Sequence, residues 1–347
     1  MCGESLNGKR VLLFIPKFFA YGEAIEEQFI KSGADATLYN ERAVASALAR
    51  AVMKISPVLF RHKTNSYYKR IIDSHKGENI DYILIVRGDM VSEKTLKRLK
   101  NAFPLAKICL HLWDSLANIK GITKILKYFD YITSFDRNDC AKHSDFNFRP
   151  LFCMDAYNGE SGCAASSDPT KDTDIFFCGT IHSDRYKIIK IIEKQCRHLG
   201  VRYTGIHYLQ SRFMYYFYKF FKREFGDADK DDFSFVATPA ETLSQAVGRS
   251  KAVLDIQHPR QTGLTMRTIE MLGMRKKIIT TNADIVNYDF YNPDNILFID
   301  RNDPVIVADF IDTPFRSIPD EVWRKYGLEQ WIHDVLGIKT VEVTYAK

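Results

Sequence analysis

Residues 81–112 read DYILIVRGDMVSEKTLKRLKNAFPLAKICLHL. The run 81–86 is apolar after its first residue, 92–101 has helical spacing, and 106–112 is a second apolar run. Unbroken apolar strands separated by an amphipathic helix indicate a parallel sheet covered on both faces, because an open antiparallel sheet alternates apolar and polar residues. Working outward, 10–15 (RVLLFI) is a strand, 22–31 a helix stopped by Gly33, 36–39 a strand, and 130–135 (DYITSF) a closing strand. Residues 1–160 therefore form a doubly wound α/β domain.

Between 154 and 173 the chain reads MDAYNGESGCAASSDPTKDT, without helical or strand period, as a linker or surface loop does. The alternation then restarts. Strands are predicted at 174–178, 201–205, 251–256, 277–281 and 295–299, and helices at 183–199, 239–248 and 263–274. Residues 172–315 form a second α/β domain. The segment 316–347 is helical over 319–336 with a break at Gly327. The expected architecture is two Rossmann-like domains facing across a cleft, with C-terminal helices returning to the N-terminal domain.

Composition narrows the class. The chain has 347 residues, 46% hydrophobic and 27% charged, the balance of a folded globular protein rather than a disordered one. No stretch nears the roughly 18 consecutive apolar residues of a membrane span, and the polar start lacks a signal peptide's apolar core. A cytoplasmic protein is expected. The seven cysteines form no Cys-x-x-Cys pair, so buried thiols are expected rather than disulfides or zinc ligands. Net charge is +6 but uneven: 42–70 holds seven Lys/Arg and no acid, and 211–223 (SRFMYYFYKFFKR) holds four Lys/Arg, seven aromatics and no acid. Such clusters attract anions, including an acidic membrane surface, while a single one also reads as a solvated helix face. Nucleic acid is set aside as a partner, because base-stacking aromatics belong on an exposed sheet and these crowd one helix-like run.

In open α/β sheets ligands bind beyond the carboxyl ends of strands. The loop 256–270 (IQHPRQTGLTMRTIE) follows such an end. His258 lies in it, Gly263 opens a helix, and Thr262 or Thr265 can cap that helix, leaving N–H groups for a phosphate. Arg267 can fork onto a diphosphate and Glu270 can hold a ribose diol. The same two residues also read as an i,i+3 ion pair on an exposed face. In 177–185 (FCGTIHSDR), Gly179 with Thr180 ends a strand and permits close backbone approach, and Ser183 can cap the next helix. Arg185 then sits in a first turn, where the helix dipole disfavours a cation unless an anion meets it. Asp172-Thr173-Asp174 has an Asp-x-Asp form but precedes a strand, so linker charge explains it better than a metal site.

These motifs, DIFFCG with Arg185, GLTMRTIE over 263–270 and KKIITTN over 276–282, resemble the nucleotide-sugar-binding half of GT-B glycosyltransferases. The bacterial group containing CgeB-like and RfaS-like (lipopolysaccharide core biosynthesis) proteins is the most similar. The resemblance implies a nucleotide-sugar substrate, with Glu270 on the ribose and Gly263, Thr265 and Arg267 near the diphosphate. Gly179, Thr180, Arg185 and His258 join them as donor-side candidates from their loops, and the helix dipole, Arg185 and Arg267 make a metal unnecessary, with no cofactor expected. The expected acceptor is a cell-envelope or lipid-linked glycan, and the basic segments 42–70 and 211–223 would rest the enzyme on the inner face of the membrane. A single motif glutamate in place of a spaced pair favours inversion.

The N-terminal domain must then supply the base and the acceptor side. Asp89, just past a strand end beside Gly88, is the first choice for base, followed by Asp114 and His111, with Asp136 of similar standing. Lys17, Tyr21 and Arg87 are acceptor-side candidates. Each also reads as a cap or a satisfied core polar group. The competing functions are a nucleotide-sugar epimerase on the same fold and a non-catalytic glycan-assembly or anionic-polymer-binding protein.

Overall fold

The computed structural model describes residues 5–17, 20–42, 58–119, 121–157, 173–236, 238–338 and 345. Most of the predicted linker and residues 43–57 of the first basic cluster lie outside these. The chain divides into two compact units: residues 1–151 with 324–345, and 152–323 with the last two residues.

The first unit holds a six-stranded parallel sheet in the order β2-β1-β3-β4-β5-β6. Its strands are β1 (Arg10–Ile15), β2 (Asp35–Asn40), β3 (Tyr82–Val86), β4 (Lys107–Leu112), β5 (Tyr131–Ser134) and β6 (Phe146–Phe148). β3 is buried at every position and β4 at all but its first, as two covered faces require. Helices Tyr21–Lys31, Val58–Ser74, Glu93–Ala102 and Arg137–Lys142 connect the strands. Val58–Ser74 falls in the basic stretch that composition marked only as charge. Its Tyr68 is fully buried against the Phe14 ring at 5.0 Å.

The second unit repeats the plan with β7 (Thr173–Thr180), β8 (Tyr203–Tyr208), β9 (Phe233–Ser234), β10 (Ser250–Asp255), β11 (Lys277–Thr280) and β12 (Ile296–Phe298). Their order is β12-β11-β10-β7-β8-β9, all parallel. The chain winds outward from β7 to one edge, returns, and winds outward from β10 to the other. The switch point therefore falls between β7 and β10, where helices leave the carboxyl ends in opposite directions and open a crevice. In the first unit the corresponding reversal falls between β1 and β3.

Two local expectations are corrected. Ser183 does not cap the helix Arg185–Leu199: it lies at φ 53°, and Asp184 takes the N-cap position. The helix after Gly263 starts only at Met266, with Thr265 as its cap, accepting from the Thr268 N–H. Among the described residues Cys109, Cys140, Cys153, Cys178 and Cys196 are free thiols. No helix among the described residues is long and apolar enough to cross a membrane.

The C-terminal stretch belongs to the first unit. Helix Leu328–Leu336 follows a break at Gly327 and buries Trp331 completely, edge-on to His111 with ring centres 5.0 Å apart. Arg149, 1% exposed, joins this stretch by an ion pair from Nε to Asp334 at 2.9 Å and a bond from Nη2 to the Lys325 carbonyl at 2.9 Å. Trp331→Ala is expected to destabilise the first unit by about 3–5 kcal/mol, the usual cost of emptying a large aromatic site, read as a lower urea midpoint.

Candidate functional site

At the switch point of the second unit, β7 ends in Phe177-Cys178-Gly179-Thr180 and β10 continues into Ile256 and Gln257. Arg185 bridges the two ends. Its Nε donates to the Ile256 carbonyl at 2.7 Å, Nη2 donates to the same oxygen, and Nη1 donates to the Thr180 carbonyl at 2.7 Å. The expectation that this cation meets an anion is thus answered locally by carbonyl dipoles. From the other side, Arg267 Nη1 donates to the Cys178 carbonyl. Gly179 lies beneath both guanidinium groups: a Cβ there would meet Arg185 Nη1 and Arg267 Nη1 at 3.3 Å and Phe177 Cζ at 3.1 Å. The close approach that a glycine permits is therefore used by this chain's own arginines.

A third guanidinium joins them. Arg301, which the sequence reading missed, donates from Nη1 to both Asp184 carboxylate oxygens, at 2.7 and 2.9 Å, and from Nη2 to the Gln257 carbonyl at 2.6 Å. Burial lowers the Arg185 pKa to about 10; the Asp255 charge opposes the shift, while Arg267 and Arg301 add to it. Three guanidinium groups are thus set against two carboxylates, Asp184 and Asp255, at this end of the sheet.

The helix Met266–Gly273 begins beside them. Asp255, also missed, ends β10 and accepts from Thr268 Oγ1 at 2.6 Å and Thr265 Oγ1 at 3.4 Å, fixing the first turn to the sheet. Asn282 Nδ2 donates to the Thr262 carbonyl at 2.9 Å and holds the loop before Gly263. Glu270 is buried at 7% exposure, which rules out the exposed ion-pair face that its spacing allowed. Burial first and the Glu270 charge second push the Cys153 thiol and the Tyr157 phenol up, which places the Glu270 carboxylate near both. His258 lies 5.5 Å from His182 ring to ring. Burial, then Arg185, lowers the His182 pKa to about 4. Gly179, Thr180, Arg185, Thr265 and Arg267 thus share one end of the sheet.

Asp174 takes no part in this end. It accepts from the Arg202 N–H at 2.9 Å and pairs with Lys251 at 3.1 Å at the opposite end of β7. Burial opposes ionisation there, but those partners hold its pKa at about 2.

In the first unit a second cluster stands at the carboxyl ends of β2, β3 and β4. Arg87 (φ 76°) and Gly88 (φ 75°) are successive left-handed residues, a conformation that costs a non-glycine residue energy and recurs at functional turns. The turn delivers Asp89 to Arg42 Nη2 at 2.9 Å and Arg87 Nε at 3.2 Å, and Arg87 reaches Asp114 at 3.5 Å. Beneath them Glu41, absent from the sequence reading, is fully buried and accepts from the Met90 N–H at 2.9 Å. Burial first and the Asp89 charge second raise its pKa well above the usual carboxylate value, beside an ion-paired Asp89. A cavity of about 660 Å³ opens over Asp89, lined also by Asn65, Gly88, Ser92, Ile122 and Lys124.

The remaining candidates separate. Lys17 donates its N–H to Asn40 Oδ1 at 3.3 Å, and Tyr21 is buried against Trp113 at 5.6 Å. Two proposed bases are corrected. His111 is fully buried, bonded to Thr133 Oγ1 at 2.9 Å and packed on Trp331, so no acceptor hydroxyl reaches it. Asp136 is 1% exposed and caps Arg137–Lys142, accepting from Asn138 N and Ser115 Oγ.

A scan of protein-family models finds no match, and no curated protein is similar in sequence. Solved structures do share the fold. HepE of Anabaena in complex with UDP-glucose superposes with a TM-score of 0.60 over 94% of this chain and 99% of that one, at 10% identity. A glycosyltransferase from Rickettsia africae gives 0.54 over 96% and 94%, at 13% identity. The lipopolysaccharide outer core galactosyltransferase WaaB, in its apo form, gives 0.51 over 95% and 99%, at 12% identity. The two Rossmann-like domains described here are thus those of the GT-B fold.

The buried histidine makes a pH prediction. Burial, then Arg149, lowers the His111 pKa to about 3, below the roughly 6.5 of an unfolded chain. The unfolded state therefore binds the proton first, and stability is lost as pH falls from about 6.5 toward about 3, by about 2 kcal/mol at pH 5. His111→Asn is expected to lower stability at pH 7 yet flatten this acid slope, measured by urea titrations at several pH values.

Proposed function

We propose that this chain is a glycosyltransferase that moves a sugar from a nucleotide-diphosphate donor to a glycan or lipid-linked glycan of the cell envelope or surface. The carrying observation is the meeting of Arg185 and Arg267 over Gly179 at the β7–β10 switch point, with Arg301 close enough to depress Arg185 and the Thr265-capped helix beside them. A buried guanidinium whose proton is already weakened by like-charged neighbours is stabilised by an incoming dianion, and so is the diphosphate. This charge would stabilise the leaving group without a metal. Glu270, one turn further along the helix, is assigned to the ribose diol. Thr180, Gly263 and His258 are assigned to the rim of the donor site. HepE, the neighbour of the same fold, is a UDP-glucose complex, which supports a nucleotide-sugar donor.

On the acceptor side Asp89 is assigned as base, because the strained Arg87-Gly88 turn carries it to the cavity. Asp89 takes the proton of the acceptor hydroxyl as that oxygen attacks the anomeric carbon from the face opposite the diphosphate. The carbon–phosphate oxygen bond breaks, and the configuration inverts. Asp114, tied to the same Arg87, is the second choice, with Lys17 and Tyr21 on the acceptor side. Membership of the CgeB-like and RfaS-like group, with a lipopolysaccharide- or capsule-like acceptor, is the finer part of the same proposal.

A thermal-shift screen with UDP, GDP, CMP, dTDP and ADP and their sugars tests the donor site. One nucleotide family is expected to stabilise the protein, by about 2.7 kcal/mol at roughly 100 times its Kd, and Glu270→Ala to abolish the response. No response from the folded protein to any of them sinks the assignment. Asp89→Asn is expected to retain the nucleotide shift while lowering kcat by about 100- to 10,000-fold in a transfer assay; an unchanged kcat removes Asp89 as the base.

A further inference from the structure

The helix Arg212–Phe221 in the second unit has its apolar face reversed. Only Tyr215 is buried, while Phe213, Phe220 and Phe221 are 73%, 83% and 67% exposed. With Tyr216 and Phe217 they follow the spacing i, i+3, i+4, i+7, i+8, which makes one stripe along the helix. The rings are contiguous: Phe217 lies 4.8 Å from Phe221 and 6.4 Å from Phe213, and Phe220 lies 5.0 Å from Phe221.

The opposite face is firmly tied down. Ser211 caps the helix, Tyr215 donates its hydroxyl to the Ala228 carbonyl at 3.0 Å, and Lys222 donates to the Ser183 carbonyl at 2.9 Å. Tyr218 packs on Phe225 at 5.1 Å. The stripe is therefore presented by a rigid mount, and five outward aromatics are a larger apolar patch than isolated exposed residues explain.

We propose that this stripe docks on an anionic lipid bilayer, with the rings entering the boundary between headgroups and acyl chains. Phenylalanine offers no hydrogen bond, so the partner must supply hydrocarbon. Arg212 and Arg223 stand exposed at the two ends of the stripe, Lys219 turns its ammonium back to the Ala228 carbonyl at 2.6 Å, and 211–223 holds no acidic residue. The partner's polar layer is therefore negative. A second copy of this chain fits less well, because pairing stripe to stripe brings the same cations together. A nucleic acid fits less well too, since a convex helix offers no groove along which a backbone could run. Acidic residues begin at Glu224, in the turn after the helix, and confine the contact to the helix itself. The inference goes beyond the transferase reading and rests on it only for its purpose, which is to hold the donor-binding unit beside a lipid-borne acceptor.

Flotation of the intact protein with phosphatidylcholine vesicles, with or without about a third phosphatidylglycerol, tests it. The anionic vesicles are expected to carry the protein and the neutral ones much less of it. Phe213→Ser combined with Phe220→Ser is expected to lower the partition coefficient by about tenfold or more. Arg212→Glu with Arg223→Glu is expected to lower binding to anionic vesicles selectively. Because these side chains are exposed, both variants should keep the wild-type Tm and the wild-type response to nucleotides, so loss of membrane binding is read independently of the donor site. The proposal is overturned if the folded protein floats with neither vesicle, or if the phenylalanine variant partitions like wild type. It is also overturned if that variant instead dissolves a dimer seen by sedimentation, or loses binding to a single-stranded oligonucleotide that the wild type prefers to vesicles.

Discussion

The second unit depends on one fork, the Arg185 guanidinium spread between the carbonyls of Thr180 and Ile256. β7 and β10 are neighbours in the sheet, but the chain between them makes an excursion through β8 and β9. Beyond the last ladder bond their carboxyl ends would splay, leaving carbonyls without partners in a buried place, which is costly. A planar donor with several N–H groups fits two such carbonyls at once, where a lysine would act as a point charge. The cost is a desolvated cation. It is held protonated at a pKa of about 10 and surrounded by two further arginines that depress it. The same group thus closes the sheet and leaves its rim positively charged.

The first unit gathers both signs of charge at the equivalent position. Its carboxyl ends bring together Glu41 and Asp89, with Arg42, Arg87 and Asp114 as a frame. Two neighbouring carboxyl groups cannot both ionise cheaply, and burial raises the Glu41 pKa well above its ordinary value. The left-handed pair Arg87-Gly88 holds the arrangement: at Gly88 a Cβ would meet Ile122 and Leu110 methyl carbons at 3.0 Å. One sheet end therefore carries carboxylates paired with guanidinium groups, and the other carries guanidinium groups spread over strand carbonyls.

Much of this plan was legible in the sequence. Strands covered on both faces announce themselves as apolar runs, and Gly327 marked the break before the last helix. β6 and β9 were not legible, because runs of three and two residues carry no period. Helix Val58–Ser74 was hidden by its own basic residues. Spacing pointed to Gly179, Arg185, Thr265 and Arg267 because they follow β7 and β10 directly in the chain. Arg301, Asp255 and Glu41 could not be found that way. Sheet order, rather than sequence distance, brings Arg301 to Gln257, and an acidic residue at a strand end looks like any helix cap. His111 was misread for a related reason: a residue inside a strand covered on both faces is buried whatever its chemistry, and the sequence alone does not say which helix covers it.

The return of residues 324–345 to the first unit has a consequence for how the molecule is made. The second unit is continuous over residues 152–323, so all its strands are present before the last helix emerges from a ribosome. The first unit begins earlier but stays unfinished longer. Until Trp331 arrives, His111 lacks the aromatic wall beside it, and until Asp334 arrives the buried Arg149 has no counter-charge. Synthesis runs from the N-terminus, yet the later-made unit is the first that can close. The nascent first unit therefore stays an open sheet until residues 324–345 arrive to complete it.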